Sequence, residues 1–162
     1  MSAANPKWAR WIYATMAKYL GGVAEQNDFG LVIEALQERT TTQKRSTHKA
    51  EATIYGPHTR ELSQGYHRIN VEVFIVVSSD RQSQPNGYNH MDITGALQNA
   101  LDQCIEVKEY EPGNLAPAHV GYLTPSTEAN DEITLENLKP ADTDQLLHSV
   151  LTAKYQGFFT QT

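Results

Sequence analysis

The chain has 162 residues, of which 40% are hydrophobic and 20% charged, and its formal net charge is −6 at pH 7. This length fits one domain, residues 1–162, built around one core. The acidic balance argues against a generic nucleic-acid binder, because such proteins need a basic surface. The single cysteine, Cys104, excludes an internal disulfide and a cysteine-rich zinc site. No apolar run reaches the ~18 residues that span a bilayer, and the first residues lack a signal peptide's pattern, so we expect a soluble protein without a membrane partner.

The first predicted element is an amphipathic helix over residues 6–20. Asn5 before Pro6 is typical of a helix N-cap followed by a first-turn proline. Gly21 and Gly22 are expected to end the helix. The side chains that recur at helical spacing are Trp8, Ile12, Thr15, Met16 and Tyr19. The two tryptophans of this helix, Trp8 and Trp11, predict an anchor in the core or in an interface.

Strands are predicted next, near residues 29–37, 49–55 and 66–78. The third has the clearest pattern in the chain, because Ile and Val alternate with Arg68, Asn70 and Glu72. Gly56-Pro57 is expected to end the second strand, so that residues 56–65 form a wide hairpin loop able to reach a neighbour.

The second half predicts a surface loop over residues 80–89 and a helix over residues 91–104, with Cys104 as a buried, inert thiol at its inner edge. Further strands are predicted near residues 105–110, 133–138 and 146–159. The region between the first two of these is expected to be irregular apart from residues 120–123. The predicted fold class is α+β, a mainly antiparallel sheet packed with two helices.

No motif in the chain predicts catalysis, a cofactor or a metal. The six histidines are scattered, without the short spacings common in zinc sites. No glycine-rich phosphate loop and no Gly-x-Ser-x-Gly elbow is present. Asp80, His90 and Asp92 suggest an acid–base cluster, but aspartates at turns and helix starts are common for capping reasons alone. We therefore expect a protein that is not an enzyme.

The charges are unevenly distributed. Residues 39–49 hold four cations and no acid, whereas residues 106–162 hold three Lys or Arg against nine Asp or Glu. Two interpretations of the basic stretch stay open: a solvated connection outside the core, or a loop that docks on an acidic neighbour such as another copy's C-terminal third. Together with the hairpin loop, the second interpretation nominates as subunit or partner contacts Arg39, Lys44, Arg45, Lys49, Arg60 and Glu61.

Two segments resemble the small tail-completion proteins of tailed bacteriophages. The first is Ala52-Thr53-Ile54-Tyr55-Gly56-Pro57, continued by Arg60–Tyr66 and Arg68–Val73. The second, Leu151–Phe158, is similar to the closing strand of that group. In element order the resemblance covers roughly residues 50–160, including a helix at the expected place.

This resemblance implies a tail terminator, a neck protein that forms a ring, typically a hexamer, on the head-proximal end of the tail tube. The ring would stop further tube subunits from adding and would offer a surface to the head–tail connector, which requires a heterologous contact that closes on itself. Phage DNA would pass through the lumen without specific binding, along an acidic lining that repels phosphate. Such a virion protein is assembled in the host cytoplasm. The acidic residues nominated for that lining are Glu128, Asp131 and Glu132.

Four alternatives stay open. A head-completion or adaptor protein would occupy the portal side of the same neck. A small-molecule or peptide-binding α+β module would be monomeric and carry a concave apolar pocket. An enzyme would show a perturbed His or carboxylate cluster in a cleft, and a tube subunit would polymerise rather than close.

Overall fold

The computed structural model describes residues 4–34, 40–41, 48–80, 88–126, 133–138 and 146–160. Its elements in chain order are α1 Trp8–Asn27, β1 Gly30–Glu34, β2 Thr40–Thr41, β3 His48–Ser63, β4 Tyr66–Asp80, α2 Tyr88–Leu101, β5 Ile105–Lys108, β6 His119–Pro125, β7 Thr134–Leu138 and β8 Leu146–Thr160.

The strands form one sheet in the order β2-β1-β3-β4-β8-β6-β5, with β7 also paired to β8. The β1–β3 pair is parallel, and the other described pairs are antiparallel. Buried side chains of both helices and of the sheet belong to one hydrophobic cluster. The predicted α+β class, with a mostly antiparallel sheet and two helices, is confirmed.

Helix α1 is longer than predicted. It runs through Gly21 and Gly22 to Asn27, and Asp28 ends it in the left-handed conformation with its N–H bonded to the Ala24 carbonyl. Two helical glycines cost about 1 kcal/mol each, but the buried stripe continues across them from Leu20 to Ala24. Burial on that stripe, which both tryptophans share, offsets the cost.

The start of α1 lies two residues later than predicted, and its N-cap is Lys7 rather than Asn5. Residues 6 and 7 form a turn, and the helix proper begins at Trp8. The side-chain oxygen of Asn5 accepts a hydrogen bond of 2.9 Å from the Lys7 N–H. Asn5 therefore satisfies one of the N–H groups that a helix start leaves without a partner.

The prediction of a wide loop over residues 56–65 is wrong. Strand β3 continues to Ser63, and only Gln64 and Gly65 connect it to β4. A register shift between Tyr55 and His58 takes up Gly56 and Pro57 as a bulge. The missing N–H of proline is tolerated at such an irregular position, so Gly-Pro interrupts the ladder without ending the strand.

The long strand β4 confirms the predicted alternation. The side chains of Ile69, Val71, Val73, Ile75 and Val77 are at most 2% exposed, and the intervening residues are half-buried. Strand β8 lies against β4 along fifteen paired positions, from Leu146 to Thr160. These two strands form the centre of the sheet, and the side chains described in the next section lie on them or on the elements packed beside them.

Helix α2 lies earlier in the chain than predicted. It spans Tyr88–Leu101, so residues 88 and 89 of the predicted loop are helical, and residues 81–87 lie outside the described part. Cys104 is exposed rather than buried, because the helix ends at Leu101 and the chain turns before β5 begins at Ile105. The helical spacing therefore does not extend to this thiol.

The remaining strands lie close to their predicted positions. β5 ends at Lys108, two residues before the predicted end, and β6 occupies the ordered stretch expected around residues 120–123. β7 and β8 match predictions near 133–138 and 146–159 within a residue. Neither described helix is long and apolar enough to cross a membrane.

Candidate functional site

The sheet has an inner face that packs on the helices and an opposite outer face. The odd-numbered residues of β4, and those of β8 from Ser149 onward, point inward and are buried. Because side chains alternate along a strand, the even-numbered residues line the outer face. On that face Phe158 and, from β6, Tyr122 are 47% and 51% exposed. The outer face is therefore the part of the sheet that offers large side chains to a partner.

One row of outer-face residues crosses the sheet from β3 to β5. Arg60 of β3 lies opposite Arg68 of β4, and Arg68 lies opposite Phe158 of β8. Because Leu123 faces Gly157, the next position in the same register places Tyr122 beside Phe158. Tyr122 in turn pairs with Glu106 of β5. We call these five residues the transverse row: Arg60, Arg68, Phe158, Tyr122 and Glu106.

The β3 end of the transverse row is basic. Arg60 is exposed and Arg68 half-buried, and among the described residues no carboxylate forms an ion pair with either of them. The Nε of Arg68 is buried and has no hydrogen-bond partner in the described structure. Like charges directly opposite each other on an antiparallel pair are destabilising, so this end of the row holds positive charge that the described residues leave unneutralised.

Aromatic rings occupy the middle of the row. The rings of Tyr66 and Phe158 stack with centroids 5.8 Å apart and an angle of 8° between their planes. On β6, the rings of His119 and Tyr122 lie 4.5 Å apart. Tyrosine and phenylalanine are enriched at protein interfaces because they offer large apolar area at little entropic cost. The exposed aromatic side chains in the middle of the row are therefore of the kind found at protein–protein contacts.

The β5 end of the row is acidic. The Nδ1 of His119 donates a hydrogen bond of 3.1 Å to Oε1 of Glu106, and both side chains are 43% exposed. β5 is the last strand of the sheet order on this side. The described pairing of β1 with β3 ends at Thr53, so at the level of the transverse row the described sheet carries positive charge on β3 and negative charge on β5.

The structure separates the site residues that the sequence nominated. Lys49 lies at the far end of β3 from Arg60, and its Nζ forms an ion pair of 2.7 Å with Glu51. Glu61 faces the opposite side of the sheet from Arg60, since it pairs with buried His67, and its carboxylate accepts a bond from the Gly65 N–H at the hairpin turn. The nominated residues outside the described part are Arg39, Lys44, Arg45, Glu128, Asp131 and Glu132.

A second polar feature, which the sequence did not predict, lies at the opposite end of the central strands. A chain of hydrogen bonds joins His48 Nδ1 to Ser79 Oγ (2.7 Å), Ser79 Oγ to His90 Nδ1 (2.6 Å) and His90 Nε2 to Ser149 Oγ (2.6 Å). Beside it, Ser78 Oγ lies 3.0 Å from the Nδ1 of His148. This serine–histidine chain, residues 48, 79, 90 and 149, ties β3, β4, α2 and β8 together.

The chain of hydrogen bonds has a direction. The Ser79 hydroxyl has one proton, so it donates to one of its two histidines and accepts from the other. Burial lowers the pKa of His90, and the neighbouring charges of His48 and His148 lower it further. A neutral His90 satisfies both of its serines, one as donor and one as acceptor. Both serines are 0% exposed and His90 is 4% exposed, so the arrangement serves to fix the strand ends.

A signal for this chain was present in the sequence. Ser79 extends the buried parity of β4, and Ser149 shares the buried parity of β8. His90 precedes Ile93 and Leu97 on the apolar face of α2. Three polar side chains on core-facing positions of packed elements are expected to bond to one another.

Asp92, which the sequence grouped with His90, is exposed on the helix surface. The described residues contain no group of three His, Cys, Asp or Glu side chains able to hold a metal.

Comparisons with known proteins bear on the fold. No protein-family model matches the chain, and no curated protein matches it. Ten chains of solved structures do match. One of them, a protein without a functional name, is 10% identical, covers 95% of this chain and 96% of its own, and superposes with a TM-score of 0.52. This likeness shows a shared fold along nearly the whole chain.

Proposed function

We propose that this protein is a tail terminator of a tailed bacteriophage, a structural protein of the virion neck that assembles as a closed ring on the head-proximal end of the tail tube. The ring stops further tube subunits from adding. It then presents its free face to the head–tail connector, while the genome passes through the lumen without specific binding.

The observation that carries the proposal is where the resembling segments lie. They fall on β3, β4 and β8, which are neighbours in the sheet. Thr53, Phe74 and Thr152 share one row of the ladder, and the pairing of β4 with β8 continues to Thr160. The resembling segments therefore lie together in one three-stranded unit of this chain, which supports the proposal.

The surface chemistry supports an assembly role for the same unit. A ring of identical subunits needs two different surfaces on each copy that fit one another. The transverse row crosses β3, β4 and β8 and differs in charge between its two ends. The exposed aromatic rings at its centre are those expected at a protein contact.

The test is a nonsense codon at Trp8 in the phage genome that encodes this chain, followed by electron microscopy of the lysate. Tails of uncontrolled length without heads are expected, together with recovery of normal tails when the intact chain is supplied from a plasmid. Tails of normal length beside separate heads would transfer the protein to the head-side adaptor position. Normal infectious particles would overturn the virion role altogether.

A further inference from the structure

We propose that copies of this chain join side to side, with the arginine end of the transverse row on one copy against the acidic end of the row on the next. The partner is a second copy of the same chain. The inference rests on the proposed function and deepens it, because it names the contact that would close the ring.

The width of the sheet prevents these charges from neutralising each other within one molecule. Arg60 and Glu106 lie on strands separated by β4, β8 and β6, and neighbouring strands are about 4.8 Å apart, which puts the two residues about 19 Å from each other. At that distance two solvent-exposed charges are largely screened at physiological ionic strength. The two ends therefore do not neutralise each other, and the partner of Glu106 within its own molecule is His119, which bonds to Oε1 of the carboxylate.

The two ends are complementary in charge and lie at the same level of the sheet. Arg60 and Arg68 offer adjacent guanidinium groups, and the planar fork of arginine binds carboxylates better than a point charge does. Glu106 offers a half-exposed carboxylate at the opposite side. A contact between these ends uses a different surface on each partner, so it repeats in one direction, as a heterologous ring interface must.

Exposed rings beside each end would supply the apolar part of the contact. Tyr66 and Phe158 flank the arginines, and they are 38% and 47% exposed. Tyr122 and His119 flank Glu106. Arginine and aromatic residues together are the usual centre of an interface, with the charges giving orientation and the rings giving most of the buried area.

β1 pairs with β3 only over Lys49–Thr53, and beyond that stretch the outer edge of β3 favours contact through side chains over strand addition. The bulge at Gly56 and Pro57 interrupts the regular ladder, and proline offers no N–H to an added strand. An incoming copy would thus be held by the arginines rather than by continuation of the sheet. This keeps the contact from growing into an open-ended sheet.

The experiment uses the native thiol of Cys104, which is exposed two residues before Glu106. A His58→Cys variant places a second thiol two residues from Arg60 on the same face of β3, since His58 pairs with Asn70 as Arg60 pairs with Arg68. A bis-maleimide reagent shorter than the width of the sheet then links only thiols of different copies. We expect a ladder of covalent multimers, with residue 58 joined to residue 104 in the linked peptides. The intact full chain is used, over a range of protein concentrations.

Three matched variants complete the design. Glu25→Cys puts a thiol at an exposed position of α1, away from the row. Its linkage to Cys104 gives the background level of cross-linking between copies. Adding Arg60→Glu to His58→Cys is expected to reduce the ladder to that background, and adding Glu106→Arg as well is expected to restore it. Linkage of residues 58 and 104 no greater than the Glu25→Cys background, at every concentration, would overturn the contact.

The outcome is separable from that of the proposed function. A specific ladder together with normal tails in the nonsense mutant would leave the contact standing and refute the tail role. Overlong tails in the nonsense mutant without a specific ladder would refute the contact and leave the tail role standing.

Discussion

Arg60 and Arg68 occupy directly opposite positions on β3 and β4, so that two guanidinium groups share one face of an antiparallel pair without a described carboxylate partner. Cross-strand pairs usually stabilise a sheet, and a like-charged pair weakens it. A like-charged pair that lowers the stability of the isolated chain is typical of residues that bind another molecule.

Replacing Arg60 with Gln is expected to stabilise the isolated protein. The change removes the repulsion and should raise the free energy of unfolding by about 0.2–1 kcal/mol in dilute buffer, with a smaller gain at high salt, where exposed charges are screened. Urea unfolding at two salt concentrations measures this. Lys49→Gln is the control, because it removes the ion pair with Glu51 and should bring no gain. A loss of stability in Arg60→Gln would show that Arg60 is already neutralised within the chain.

Charge reversal at the two ends of the transverse row is expected to abolish tail completion and then to restore it. In the nonsense mutant, plasmids that supply Arg60→Glu or Glu106→Arg alone should leave tails overlong, because each variant puts like charges at the subunit contact. The double variant Arg60→Glu/Glu106→Arg should recover normal tails. Tail lengths in electron micrographs give the answer. A single variant that complements as well as the intact chain would contradict the contact.

Gly56→Ala is expected to destabilise the β3–β4 hairpin. Gly56 has a φ of +104°, and a Cβ placed there would lie 2.8 Å from the Asn70 carbonyl oxygen. Backbone conformations of this kind cost a non-glycine residue about 1–3 kcal/mol, and the close carbonyl adds to that cost. Chemical denaturation measures the loss.

The control for that variant is Gly95→Ala on helix α2. No atom lies within 4 Å of a Cβ built at Gly95, so alanine should stabilise the helix by about 0.5–1 kcal/mol. If Gly56→Ala unfolded no earlier than the intact chain, the positive φ and the bulge assigned to Gly56 would be incorrect.

Stability is expected to fall as the pH drops below about 6.5. Burial lowers the pKa of His90 in the folded protein, whereas an unfolded histidine titrates near 6.5. Below that pH the unfolded chain binds more protons than the folded one, so the free energy of unfolding decreases until the pH has passed the folded pKa. His48 acts in the same direction, since burial lowers its pKa more than Asp28 raises it.

Unfolding free energies at pH 7.5 and pH 5.5 test this prediction. The difference between the two should shrink in His90→Gln, in which no ionisable group remains at the centre of the serine–histidine chain. It should be unchanged in His58→Gln, because His58 is exposed on β3. If the intact chain, His90→Gln and His58→Gln all showed the same pH dependence of stability, that dependence would come from groups other than His90.

The elements that sequence patterns predicted well are those with a strong period. β4 alternates without exception over Ile69–Val77, and the apolar stripe of α1 was visible because its side chains recur every three or four residues. Local signals failed where the rest of the fold outweighed them. Gly21 and Gly22 looked like a helix end, but the buried stripe continues beyond them.

The candidate site was harder to predict because it depends on pairing between distant strands. Arg60 was nominated as a residue of a loop, and neither Arg68 nor Glu106 carried any signal on its own. Only the register of β3 with β4, and of β6 with β5, places them in one row. The same holds for the serine–histidine chain, whose members are separated by up to 101 positions between His48 and Ser149.

The most direct measurement of the central claim is cryo-electron microscopy of purified tails, with this chain located by its density or by a specific antibody fragment. A tail terminator must occur as one closed ring at the head-proximal end of each tube, with the arginine side of every copy facing the acidic side of its neighbour. A ring of this chain on the portal instead, copies distributed along the tube, or tails that contain none of it would contradict the proposal.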